Sequence, residues 1–271
     1  MEGRKRKRGV FCLFTTHLAS GLKGVRESLL DFCFPMSCAG CQKVRLTSSM
    51  GLWCNDCLEA LPWLRSPLCP QCGRPFLKSL SAPDHLCGDC SLGLFSFDCA
   101  RSAVLHTGVV RERIHQLKFG GQLQWVPPLA DLLAKAFESG LSQRADFIVP
   151  IPLHIRRLRH RGFNQAGLLA KHVGRFKKLS VRFDILFRDA WAEPQTRLSR
   201  EERLQNVKGA FSVRDPSAVK GRRILLIDDV FTTGSTLTEC TRILKNAGAA
   251  RVYALTVSRA LADVRPADTE I

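Results

Sequence analysis

Four Cys-x-x-Cys pairs, Cys38/Cys41, Cys54/Cys57, Cys69/Cys72 and Cys87/Cys90, constrain this chain more than any other feature. They sit in a tract from Cys33 to Cys99 that holds ten of the 12 cysteines, and equivalent cysteines recur 31 to 33 positions apart, so the tract reads as a duplicated unit. Two-residue spacing is what a metal needs to take two thiolates from one tight turn, and a disulfide framework has no reason for it. The expectation is two structural Zn²⁺ sites in a reducing compartment, with Cys12, Cys33, Cys99 and Cys240 left as small apolar or free thiols. The repeat favours sequential pairing, Cys38 and Cys41 with Cys54 and Cys57, then Cys69 and Cys72 with Cys87 and Cys90; crossed pairing satisfies the same spacing.

The cysteine tract divides the 271 residues into three parts. Residues 1–32 carry the basic run Arg4 to Arg8 and then Leu18, Leu22, Val25, Leu29, Leu30 and Phe32 at near-helical spacing, so a short amphipathic helix is expected. The apolar stretch after the basic run breaks at Thr15, too soon for a signal peptide, and no segment has the length of a membrane span. A cytoplasmic protein with no membrane span is therefore expected. Residues 33–96 form the cysteine-rich unit, and residues 97–271 alternate strand and helix patterns. The strands expected are Ala103–Leu105, Phe147–Pro152, Val181–Phe187, Arg223–Ile227 and Val252–Val257, and the helices Val109–Phe119, Leu129–Phe137, Phe163–Val173 and a last one from Leu237 that Gly248 ends. That alternation predicts an α/β fold, an open parallel sheet with helices on both faces, preceded by a small double zinc-ribbon domain. Pro194 to Lys208, polar with few apolar anchors, is expected to be a mobile loop at the site.

The segment Ile224 to Thr236 carries the chemistry. Four apolar residues lead to Asp228 and Asp229, followed by Thr232, Thr233, Gly234, Ser235 and Thr236 and then a helix pattern. Backbone N–H groups and hydroxyls at such a strand-to-helix turn converge on an anion, with the positive end of the helix dipole behind them. The two carboxylates beside it suit a sugar diol or its magnesium. A P-loop is excluded, because no GxxxxGK[ST] occurs. The 41 Lys and Arg against 24 Asp and Glu, a formal charge of +17, make polyanionic partners expected.

Ile224 to Thr236 resembles the phosphoribosyl-pyrophosphate motif of type I phosphoribosyltransferases, and the chain as a whole resembles the ComF family of competence proteins, with GntX-like relatives. Further segments carry the likeness: Leu117-Lys118-Phe119-Gly120, Val149 to Leu153 running into Arg161-Gly162-Phe163-Asn164-Gln165, and Pro194 to Leu198 running through Arg203 and Asn206 to Phe211. The resemblance implies that Asp228 and Asp229 contact the ribose hydroxyls, and that Thr232, Thr233, Gly234, Ser235 and Thr236 hold the 5-phosphate. It implies that His154, Arg156, Arg157, Arg159, His160 and Arg161 face a leaving pyrophosphate, with Asp228, Asp229 and Arg161 the catalytic set. Lys118, Gln195 and Asn206 stand out only through this likeness.

Two functions follow from it. One is Mg²⁺-dependent binding of phosphoribosyl pyrophosphate and transfer of phosphoribose to an acceptor, linked to DNA uptake. The other is a non-catalytic competence factor that binds single-stranded DNA through its basic surface and zinc ribbons, with a competence or helicase protein as a further partner.

Overall fold

The computed structural model describes residues 37–43, 52–76, 83–141, 145–191 and 200–261. The basic N-terminal run and the expected amphipathic helix from Leu18 to Phe32 lie outside them. Among the described residues no helix is long and apolar enough to cross a membrane.

Two short helices, α1 (Asn55–Glu59) and α2 (Gly88–Ser91), each begin at a cysteine, Cys54 and Cys87. Next come β1 (Cys99–Leu105), α3 (Gly108–Gly120), α4 (Val126–Gly140), β2 (Phe147–Pro150), α5 (Ile155–Arg161) and α6 (Gln165–Lys177). They are followed by β3 (Leu186–Arg188), α7 (Arg200–Val207), β4 (Phe211–Val213), β5 (Arg223–Phe231), α8 (Ser235–Asn246) and β6 (Arg251–Arg259). Four strands form one sheet in the order β1-β6-β5-β2, with every neighbouring pair parallel. Ile224, Leu225, Leu226 and Ile227 are all buried, as a strand covered on both faces requires. One face packs Ile114 and Leu117 of α3, Leu132 and Leu133 of α4, and Leu169 and Val173 of α6. The other packs Leu237, Cys240 and Leu244 of α8 with β3, β4 and the second cysteine cluster.

Three expectations change. Val181–Phe187 is not one strand: Val181 makes a single parallel bridge to Ile148, and β3 begins at Leu186 and pairs antiparallel with β4. Between them the Arg182 guanidinium donates to both carboxylate oxygens of Asp184, each at 2.8 Å, and this local fork closes a bend. Residues 200–207 form α7 where a loop was expected, in a stretch rich in good helix formers; residues 192–199 lie outside the described residues. Strand β5 does not stop at Ile227 but runs to Phe231, because Asp228 and Val230 continue the ladder opposite Thr256 and Ser258 of β6.

The cysteine-rich unit packs into the same core. Trp53 is fully buried among sheet and helix residues and donates its Nε1–H to the Pro128 carbonyl at 3.0 Å. Trp63 bridges Val104 of β1, and the Leu64 amide donates to Ala103 O at 3.0 Å. The buried Arg113 of α3 donates from Nε to Ala39 O (2.8 Å) and from Nη2 to Gly40 O (3.2 Å). Trp53→Ala is therefore expected to lower the stability of the whole chain by about 3–5 kcal/mol, read as an earlier urea midpoint of the sheet's far-ultraviolet signal; an unmoved midpoint would mean that the unit folds apart from the sheet.

Candidate functional site

The two cysteine clusters assemble sequentially, Cys38, Cys41, Cys54 and Cys57 in one and Cys69, Cys72, Cys87 and Cys90 in the other, with the sulfurs of each within 4.8 Å of one another. Four sulfurs about 2.3 Å from a tetrahedral zinc stand about 3.8 Å apart, and Cys41–Cys54 at 3.9 Å and Cys72–Cys87 at 3.6 Å match that edge. Burial opposes ionisation of Cys38, yet N–H groups of Cys54, Cys41 and Gly40 outweigh it and draw the thiol down to about 6. Cys69 behaves alike, at about 7, while burial and neighbouring sulfurs push Cys57 up to about 12. Each tetrad thus mixes sulfurs readily ionised with sulfurs that need a cation to ionise, and a divalent zinc supplies it. Gly40 admits nothing larger, since a Cβ there would meet Cys57 Sγ at 2.6 Å.

The second site is a cleft of about 910 Å³ at the carboxyl ends of the neighbouring strands β2 and β5, where open α/β sheets take ligands. Asp228, Asp229, Thr232 and Thr236 line one wall, and Arg156, Arg157, His160 and Arg161 of α5 line another. Lys118 and Phe119 at the end of α3, with Arg188 at the end of β3 and Trp191 beyond it, complete it.

Asp229 is buried, and its Oδ2 lies 2.7 Å from Lys118 Nζ. The contact is an ion pair without hydrogen-bond alignment, so Oδ2 keeps no hydrogen-bond partner and can still accept from a hydroxyl or bind a hard cation. Asp228 is half-buried; burial first, and then the Asp229 carboxylate, push it up to about 8 against the pull of Lys118. Across the cleft, burial works against the guanidinium charges of Arg157, Arg161 and Arg188, and Arg188 Nε has no hydrogen-bond partner. Arginine does not give up its proton at neutral pH, so these charges await an anion.

The turn after β5 is shaped by Gly234. Its φ of 77° opens α8, and a Cβ there would strike Phe95 at 2.7 Å and Phe231 at 2.8 Å. Thr233 Oγ1 meets Ser235 Oγ at 2.9 Å and accepts the Ser235 amide at 3.4 Å, which tightens the turn at the start of α8; Gly234, its N-cap, has no side chain to cap it.

Of the residues singled out in the sequence, the cleft gathers Asp228, Asp229, Thr232, Thr236, Arg156, Arg157, His160 and Arg161, with Lys118. Thr233, Gly234 and Ser235 belong to the turn without lining the cleft wall. His154 does not line the cleft: its Nδ1 accepts the Arg156 amide as the cap of α5, and its ring stands 5.2 Å from that of Trp191. Arg159 is exposed and does not line the cleft. Arg161 Nη1 donates to Gln165 Oε1 at 2.5 Å, which explains the pairing of those two residues in the sequence. Gln195 lies outside the described residues. Arg188 and Trp191 had gone unnoticed: Arg188 carries no local signal, whereas a lone Trp entering a polar stretch is one that could have been heeded.

Wild-type stability should carry the mark of Asp228. A carboxyl whose folded pKa is raised contributes no penalty below its unfolded value near 4; as pH climbs to about 8 the unfolded chain gains from ionisation and the folded chain does not. Asp228→Asn should melt above the wild type at pH 8, with the gap closing toward pH 4; a gap independent of pH would refute the burial of that charge.

Residues 29–91 match the family described as a double zinc ribbon domain, and residues 128–270 match the phosphoribosyl transferase domain family. The DNA utilization protein YhgH of Escherichia coli (strain K12) is 33% identical over 82% of this chain and 97% of its own length. Competence protein F of Haemophilus influenzae is 29% identical over 84% and 98%, and competence protein ComFC of Bacillus subtilis 30% identical over 76% and 83%. With two cysteine tetrads of zinc-ribbon geometry ahead of a phosphoribosyl transferase domain match that spans more than half of the chain, the chain belongs to the ComF family.

Proposed function

We infer that the cleft binds phosphoribosyl pyrophosphate with Mg²⁺ and transfers its phosphoribosyl group to an acceptor nucleophile, in a protein that works on DNA. The observation that carries this reading is the division of charge around the cleft. A buried carboxylate oxygen that has an ion pair with Lys118 but no hydrogen bond, and the turn that opens α8, occupy one side, and desolvated guanidiniums the other. A ribose with a phosphate at one end and a pyrophosphate at the other matches that division.

In this reading Asp228 and Asp229 accept from the ribose hydroxyls, and the turn from Thr232 to Thr236 takes the 5-phosphate through its amides and hydroxyls. The acceptor forms a bond to the anomeric carbon while the bond from that carbon to pyrophosphate oxygen breaks, and the electron pair leaves with pyrophosphate. Positive charge builds on the sugar beside Asp228 and Asp229, and negative charge on the leaving group beside Arg157, Arg161 and Arg188. Mg²⁺, held by the same carboxylates with substrate oxygens, would supply further neutralisation of pyrophosphate. Lys118 holds Asp229 in place through its 2.7 Å contact. Titration of the zinc-loaded protein with phosphoribosyl pyrophosphate and Mg²⁺ should show binding that Asp228→Asn with Asp229→Asn abolishes while zinc content and fold persist; equal binding by the double variant would sink the assignment.

A second partner, single-stranded DNA, is favoured by aromatic rings that stand exposed beside cations. Phe176 is 65% exposed with Lys177 Nζ 4.6 Å from its ring, and Phe183 is 46% exposed with Lys171 at 5.3 Å. Stacking platforms beside positive charge suit unpaired bases. The relatives named for DNA utilization and competence point the same way. Affinity for an oligonucleotide should fall steeply with salt and drop about tenfold in Phe176→Ala with Phe183→Ala; affinity indifferent to both changes would remove this surface from the reading.

A further inference from the structure

The turn after β5 rests on the second cysteine cluster. Gly234 lies directly over the rings of Phe95 and Phe231, which pack edge to face with centroids 5.9 Å apart. Gln71 of the second ribbon and Arg259 of β6 hold this pair in place. Gln71, between Cys69 and Cys72, donates from Nε2 to Phe97 O at 3.1 Å and Phe95 O at 3.5 Å, and its own carbonyl accepts the Ala100 amide at 2.7 Å. Arg259, at the end of β6, is 5% exposed and lies with its guanidinium 4.0 Å from the Phe231 ring centroid. It donates from Nη1 to Cys72 O at 2.7 Å, and its Nη2 stands 3.6 Å from Cys72 Sγ.

A guanidinium this buried needs a countercharge. Among the described residues no carboxylate forms an ion pair with Arg259, and its Nε has no hydrogen-bond partner. Zinc with four thiolates carries two net negative charges, and in the second tetrad one of those thiolates is in contact with Arg259. The first tetrad is anchored elsewhere, by Arg113 of α3 on Ala39 and Gly40.

We propose that Arg259 is the counter-cation of the second zinc tetrad and a positioning residue for the turn from Thr232 to Thr236, so that zinc in the second site, and not in the first, shapes that turn. The consequence for ligand affinity rests on the phosphoribosyl reading; the consequence for the turn does not. The test uses the full zinc-loaded chain with Arg259→Met, which keeps an apolar stem without charge, Arg259→Lys, which restores the charge, and Cys41→Ser, which disturbs only the first tetrad. Hydrogen exchange of residues 232–238 should quicken about tenfold in Arg259→Met and return most of the way in Arg259→Lys. One zinc per chain should pass to a chelating dye faster, and binding of phosphoribosyl pyrophosphate with Mg²⁺ should weaken about tenfold. Cys41→Ser should lose one zinc and leave exchange of residues 232–238 unchanged. Gln71→Ala, with Arg259 intact, should move the same exchange rates in the same direction and serves if Arg259→Met does not fold. Unchanged exchange in both Arg259→Met and Gln71→Ala, or an equal rise in Cys41→Ser, overturns the proposal. Quickened exchange in a protein whose wild type binds no phosphoribosyl pyrophosphate upholds the positioning role and refutes the ligand.

Discussion

A strand buried on both faces cannot slip by a residue without driving its charged end into the core, and β5 is such a strand. With Ile224 to Ile227 buried and paired to β2 and β6, the register of Asp228 opposite Thr256 follows. Alternation starts the two side chains on opposite faces, yet their carboxylates stay close enough for Asp229 to raise Asp228. Asp229 turns toward α3 and Lys118, while Asp228 turns toward the α8 side, where Arg188 and Cys240 feel its charge. The two acids thus bear on each other as well as on their own faces, and both line the cleft.

The ribbons complete the sheet as much as they decorate it. A small unit built around two metal ions has little apolar surface of its own, so it gains stability by burying Trp53 and the second tetrad against the sheet. Two arginines make the junction specific. Arg113 binds two carbonyls of the first cluster, Ala39 and Gly40, and Arg259 one of the second, Cys72, and each keeps its charge in contact with an aromatic ring, Trp125 at 4.4 Å and Phe231 at 4.0 Å. The metal sites and the cleft thereby share one continuous body.

Much of this was legible beforehand because its signals are local. Two-residue cysteine spacing reports a metal knuckle, and an apolar run ending in Asp228 and Asp229 reports a strand end at a site. Elements that misled are those where a contact of short range competes with pattern. Alternation from Val181 to Phe187 looked like a strand until Arg182 and Asp184 closed a bend, and the polar stretch before Lys208 looked like a loop although its residues favour helix. His154 and Arg159 show the limit of reading a basic run as a unit: on a helix such as α5 only one face can look into the cleft.

The sequence by itself determined the four Cys-x-x-Cys pairs, the α/β alternation and the carboxylate pair before a hydroxyl-rich turn, since each depends on spacing along a few neighbouring residues; which pairs share a tetrad was decided by the fold. Only the tertiary structure decided that Lys118, Arg188 and Trp191 join the cleft, and that Arg259 meets Cys72 across 187 positions of chain. Those contacts depend on how the chain returns to the sheet, and burial selects them without leaving a local pattern.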